Sequence, residues 1–315
     1  MRFGYHHSSF AGAGDRPPFD AVLERARRVE ALGFDLLTFM DHVWQLPHNG
    51  ATDEPFFDCY TALPAVATVT DRIGLSALVT CVHYRNPALL SKMVASLDHA
   101  SGGRAVLGIG AGWYEDEYDA YGYDYPEPAE CVSQLADAVQ LAKAMWTEAS
   151  PVTFEGEHYR VEDAILEPKP VQDPHPPVLV GGGGEQLTLR VVAEHADRWN
   201  VPMVDPSTYE HKLEVLAGHC EREGRDYDEI EKTVLARALL RETTQDAHEA
   251  YEAVVPGAEP TGRDEYRGLV GTAEDAAGVV EQFRDLGAEM VMVAVPRNDE
   301  ETVERFAEEV VPEFA

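Results

Sequence analysis

Positive charge is what this chain has least of. Its 315 residues include 57 Asp and Glu against 25 Lys and Arg, with lysine only at positions 92, 143, 169, 212 and 232, for a net charge of −32. No basic patch is available to meet nucleic acid, whose binding rests on neutralising phosphates with Lys and Arg. Cysteine is scarce: Cys59, Cys81, Cys131 and Cys220 stand far apart and form no CxxC pair. This excludes a disulfide framework and leaves reduced thiols in a protein expected to be cytoplasmic. No stretch approaches the ~18 uninterrupted apolar residues of a membrane span. Met1 runs directly into "RFGYHH", which reads as a first strand and not as a signal peptide. HExxH, HxH and GxSxG are all missing, so neither a metal hydrolase nor an acyl-transfer enzyme is expected. His6 and His7 are adjacent, and neighbours on a strand face opposite sides, so they do not share an ion.

What is present is an ordinary globular core, 44% apolar, through which the acids are dispersed. Dispersed acids repel one another at low ionic strength and are screened at high salt, where the Debye length falls to ~3 Å at 1 M. The expectation is a salt-adapted protein.

Short apolar runs alternate with amphipathic segments. Strands are predicted at 2–5, 35–40, 73–80, 105–110, 177–182, 197–202, 232–242 and 290–295. Helices are predicted at 19–33, 58–70, 87–100, 128–147, up to about 195, 207–223, 272–286 and 299–312. Residues 148–176 interrupt the alternation with a hairpin signal around Glu155–Gly156 and a proline-rich run. Strand followed by helix, repeated through one chain of this length, predicts a parallel (β/α)8 TIM barrel with one insertion between strands four and five, a single domain over 1–315. An open doubly wound sheet is the alternative. In a barrel the chemistry gathers where strands end, which draws attention to Asp41–His42, Thr80–Cys81, the glycines of 108–112 and those of 181–184.

"VGGGGEQLTLR" places four glycines at the exit of strand five, before a helix. Unobstructed amides at a helix start favour an anion such as phosphate, while a tight turn would also call for glycine. "LGIGAGW" has GxGxG spacing rather than GxGxxG and is followed by aromatic and acidic residues, which argues against a dinucleotide site. Those glycines either admit a flat ligand or relieve a crowded strand corner. His42 can exchange a proton near neutral pH. Asp41 either fixes its tautomer or pairs with a helix terminus or an arginine.

"FDLLTFMDHV", "RIGLSALVT", "YRNPALLSKMVASLDHASGGR", "LGIGAGWYEDEYDAYGYDYP" and "KPVQDPHPPVLVGGGGEQLTLRVVAEHADRWN" together resemble the bacterial-luciferase-like flavin-dependent family, and within it the branch of coenzyme F420 (deazaflavin)-dependent oxidoreductases. The resemblance runs in order from residue 1 to about 200 and is looser beyond. It implies a TIM barrel with an insertion and a bulge on strand three, often with a non-proline cis peptide, matching Ala77–Leu78 here. It implies that Thr80 borders the ring, that Ala111 and Gly112, with Trp113 following, contact ring or tail, and that Gly182, Gly183 and Gly184 hold the phosphate. His42 matches the histidine beside the reacting carbon, with Asp41 expected to orient it. Two departures from the family's glucose-6-phosphate enzyme stand out. Leu46 occupies a tryptophan slot, with Trp44 two places before it, and Trp113 stands where that enzyme has a glutamate proton donor, with Glu115 and Glu117 further on.

The resemblance implies hydride transfer between F420 and a small-molecule substrate, in a mouth walled by Trp44, Trp113 and Tyr114. An FMN-dependent monooxygenase and a non-catalytic cofactor-binding protein are the alternatives. A homodimer is expected from the family, and no nucleic-acid or membrane partner. Loops 44–57, 148–176 and 255–270 are expected to choose the substrate.

Overall fold

The computed structural model describes residues 1–10, 17–255 and 268–315, so most of the 255–270 loop lies outside the described residues. Strands run β1 Arg2–His7, β2 Leu36–Phe39, β3 Gly74–Ala77, β4 Thr80–Cys81, β5 Ala105–Gly110, β6 Val152–Glu155, β7 Arg160–Ala164, β8 Val178–Gly181, β9 Arg198–Pro202, β10 Glu231–Leu240, β11 Leu269–Gly271 and β12 Met290–Ala294. Parallel pairings lead from β1 through β2, β3, β5, β8, β9 and β10 to β12, which pairs back with β1. The ladder therefore closes as a (β/α)8 TIM barrel. One of its staves is β3 and β4 together, interrupted at Leu78–Val79, whose peptide bond is cis. The sequence placed this feature at Ala77–Leu78, one residue too early.

Helices are α1 Pro18–Ala31, α2 Cys59–Ala67, α3 Pro87–Ser101, α4 Glu115–Tyr121, α5 Pro128–Thr147, α6 Thr188–His195, α7 Pro206–Glu223, α8 Thr244–Val254, α9 Ala273–Asp285 and α10 Glu300–Arg305. Their limits follow local chemistry. The Asn86 side chain accepts the amides of Ala88 and Leu89 at the start of α3, and Gly102 ends that helix at φ +68°. Helix α1 buries Val22, Ala26 and Val29, a helical stripe turned to the barrel. Among the described residues, no helix is long and apolar enough to cross a membrane.

The insertion contains the antiparallel hairpin of β6 and β7. Two buried carboxylates pin it: Asp137 accepts the amides of His158 and Tyr159, and Asp98 accepts those of Val171 and Gln172. Three elements escaped the sequence reading: α4, α8 and the short β11, which pairs with the end of β10.

Inside the barrel Leu36, Leu78, Val106, Leu179, Leu235, Met290 and Met292 form an apolar plug. A larger core lies between the sheet and the helices. The plug closes the barrel axis, so any ligand must sit at the mouth.

Candidate active site

The strand exits converge on a cleft of about 320 Å³ at the C-terminal end of the barrel. One wall is the interrupted stave. Val79, half-buried, leans between two neighbouring strands that carry glycine where they pass it: a Cβ on Gly110 or on Gly181 would stand 2.8 Å from a Val79 methyl. Gly108 makes room for the Ala77 carbonyl, and Gly112, at φ +85°, makes room for the Tyr118 hydroxyl. The GxGxG glycines thus have structural work of their own, in admitting the bulge and Tyr118, besides keeping the cleft floor bare.

Asp41, His42, Leu78, Thr80 and Ala111 line the cleft, as do Gly112, Trp113 and Gly182. Ala77 does not: it is fully buried beneath the wall, with its carbonyl turned toward Gly108. Gly183 and Gly184 continue past the lining toward solvent. Their amides donate to no protein acceptor among the described residues, whereas the Gly182 amide is used by the Asn200 carbonyl. The helix expected directly after these glycines starts later, at Thr188. Glu185 turns its carboxylate to Lys212 (2.5 Å) and His211 (3.2 Å), and those partners hold it below the usual carboxylate range.

His42 stands at the cleft edge with Nδ1 2.7 Å from Oε2 of Glu117. The same carboxylate accepts the Tyr84 hydroxyl at 2.6 Å and the Val43 amide at 2.8 Å. Burial works to raise the Glu117 carboxyl, but these hydrogen bonds, led by His42, outweigh it and hold the group below its ordinary value. An ionised carboxylate only accepts, so the proton between the two groups sits on Nδ1. The other ring nitrogen, Nε2, has no protein partner among the described residues and is free for a ligand.

Asp41 does not orient His42; of the two alternatives the sequence left open, it takes the arginine partner. Its two oxygens meet the Arg85 guanidinium at 2.5 and 3.1 Å, and Arg85 also reaches Asp58. Burial raises the Asp41 carboxyl while Arg85 opposes it; the two carboxylates hold Arg85 firmly charged. Arg85 also lies 4.8 Å from the ring centre of Tyr60, whose hydroxyl bonds Thr80 at 2.8 Å. This cluster fastens the β2 and β4 exits together.

Glu117, Tyr84 and Tyr118 were not singled out as orienting groups in the sequence. The signal for α4, which carries Glu117, was present: three consecutive acids at 115–117, favourable at a helix start, followed by Gly122 at φ +73° as its end. The aromatic mouth assembles around it. Trp113 is 60% exposed and lies 5.2 Å from Tyr114 and 5.8 Å, edge-on, from His42, while Trp44 flanks Tyr114 at 6.4 Å.

The pattern defining the luciferase-like monooxygenases matches residues 1–311. An uncharacterized protein of Mycobacterium tuberculosis is 35% identical over 142 residues, 45% of this chain and 49% of that one. An F420-dependent glucose-6-phosphate dehydrogenase of Amycolatopsis mediterranei is 33% identical over 200 residues, 63% of this chain and 55% of that one. The chain thus spans about half the length of these curated relatives in the matched regions. Among solved structures, an F420-dependent secondary alcohol dehydrogenase in complex with an F420–acetone adduct shares the fold, with a TM-score of 0.83 at 22% identity, covering 100% of this chain and 99% of that one.

Proposed function

The chain belongs to the luciferase-like monooxygenase family and is an oxidoreductase, and on that premise we propose that it moves a hydride between coenzyme F420 and a small organic substrate. The observation that carries this reading is the His42–Glu117 pair at the edge of a flat, glycine-bared cleft. The residues suit such a cofactor. Leu78, Val79 and Thr80 offer a wall for a planar ring, and the unpartnered amides of Gly183 and Gly184 offer donors for a phosphate. When bound, F420 supplies a ring carbon that accepts or donates hydride.

The protein's own part is orientation and proton handling. Glu117 fixes the His42 tautomer with Nδ1 protonated, which leaves a lone pair on Nε2. In the oxidising direction Nε2 takes the proton of a substrate hydroxyl, and Glu117 steadies the imidazolium that forms; in reverse, Nε2 returns it. The rings of Trp113 and Tyr114 stand edge-on to the imidazole at 5.8 and 6.2 Å and would help to exclude water once a ligand fills the mouth. Asp41 acts one step back, holding the β2 exit through Arg85.

The family's own description favours a second reading, an FMN-dependent monooxygenase, since the same wall and amides suit either cofactor. Fluorescence titration with F420 and with FMN, in molar salt, separates them. Tighter binding of F420, followed by change of its absorbance with a panel of alcohols and carbonyls, is the expected result. Preferential FMN binding with oxygen consumption would replace the F420 reading, and F420 binding with no turnover across the panel would leave a carrier protein.

A further inference from the structure

Behind Trp113 a second cavity, of about 260 Å³, opens among β1, β10 and β12. It shares Trp113, Pro202 and Leu235 with the cofactor cleft, so the two lie side by side at the barrel mouth. Backbone register explains its polar end. His6 pairs with Ala294, and Ala294 with Arg237, so these three side chains stand at one level of the barrel interior, and all three line the cavity. This is the layer directly above the apolar plug.

The charge of this lining is unlike that of the rest of the chain. Acids make up 57 of 315 residues, yet none of the described residues lining the cavity is Asp or Glu. Arg237 is half-buried, and among the described residues no carboxylate pairs with it. Among the described residues its one hydrogen bond runs from Nη1 to the Tyr251 hydroxyl at 3.1 Å, a prop supplied by α8 from outside the barrel. The remaining guanidinium N–H groups have no partner among the described residues. A half-buried guanidinium with no counter-charge among the described residues is a ready partner for an anionic ligand.

The neighbouring imidazoles add donors and acceptors but little charge. Burial, with His42 adding to it, pushes His6 down to about 3, and burial followed by the fields of Arg237 and His42 lowers His48. One fixed positive charge of forked geometry therefore heads the chamber. That geometry matches a carboxylate, which a guanidinium can grip through two parallel hydrogen bonds. A phosphate dianion would ask for a second cation, and Arg237 is the one Lys or Arg among the described lining residues.

We propose that this cavity is the substrate chamber and that it takes small organic molecules bearing a carboxylate, clamped by Arg237 and presented toward His42. The substrate role rests on the hydride-transfer reading above; the carboxylate site does not.

Butyrate, its neutral counterpart butyramide and inorganic phosphate are the probes, titrated by ligand-observed NMR into the full chain and into Arg237→Gln and Arg237→Lys. Butyrate is expected to bind the native protein in preference to butyramide and phosphate, to lose at least about tenfold in Arg237→Gln, the scale of one charge-assisted hydrogen-bonded contact, and to fall between in Arg237→Lys. Thermal melts show whether each variant is folded, and an F420 titration of each, expected to be unchanged, reports the cofactor cleft separately. Equal binding of butyrate and butyramide, equal binding by native protein and folded Arg237→Gln, or phosphate binding above butyrate would each overturn the carboxylate assignment. Butyrate discrimination without F420 binding would uphold the site and remove the F420 reading alone.

Discussion

Nδ1 of His42 lies 2.7 Å from Oε2 of Glu117, across 75 positions of sequence. The histidine leaves the end of β2, and the glutamate comes from the first turn of α4, beyond β5. Their meeting fixes the imidazole's proton on Nδ1 and presents Nε2 to the cleft.

If Nε2 handles the substrate proton, His42→Ala should lower turnover by about 10²–10⁴-fold, the usual yield of general acid–base help, with F420 affinity retained. Glu117→Gln keeps the shape but cannot steady an imidazolium. A drop of up to about 10⁴-fold is expected, the scale seen when the carboxylate partner of a catalytic histidine is replaced by its amide, together with an altered pH–rate profile. Unaltered turnover in a cofactor-bound His42→Ala protein would remove the histidine's role.

Glu117 should also appear in acid stability. Its folded value lies below its ordinary 4.5, so its contribution is complete above about pH 4.5 and is lost as pH falls through the folded value. The difference in melting temperature between native protein and Glu117→Gln should therefore be level near neutrality and shrink below pH 4.5. A difference that grows on acidification contradicts this sign.

His7 gives a second pH signature. Both ring nitrogens are buried without a partner among the described residues, between Phe10 and Phe39, and burial pushes the group from 6.5 down to about 3. The unfolded chain takes a proton that the folded one refuses, so stability is lost as pH falls below 6.5, by about 1.4 kcal/mol per unit. His7→Phe should melt higher than the native protein at pH 5, with a smaller gain at pH 8. An equal gain at both pH values would mean that the imidazole is not the source.

Gly112 combines φ +85° with a Tyr118 hydroxyl 2.0 Å from where a Cβ would stand. Gly112→Ala should destabilise by about 1–3 kcal/mol from backbone strain alone, with the clash added. Tyr118→Phe removes the oxygen, so the double variant should be more stable than the two single effects summed. Additive losses in denaturant titrations would show that the hydroxyl is not what Gly112 accommodates.

A net charge of −32 predicts a stability that climbs with salt. The melting temperature should rise from 0.1 to 1 M KCl as the Debye length shortens from ~10 to ~3 Å. A flat response would show that the acids are already balanced by the folded arrangement and would end the reading as a salt-adapted protein.

The sequence by itself determined the barrel and the end of it that matters. Strand and helix periods are local properties: the run 290–295 and the stripe Val22, Ala26, Val29 carry their faces within a few residues. Strand exits follow directly, which places His42, Thr80 and Gly112 at one mouth. Tertiary structure alone decided who partners whom. Asp41 adjoins His42 in sequence, yet Arg85 takes it, because successive residues leaving a strand diverge while the turn between β4 and α3 brings a guanidinium alongside. Glu117 reaches His42 only because α4 folds back over the cleft. The chamber around Arg237, with no acid among its described lining residues, exists only through register between β1, β12 and β10. Periodicity tells a residue which way to face; which side chain it meets is set by the packing of segments far apart in the chain.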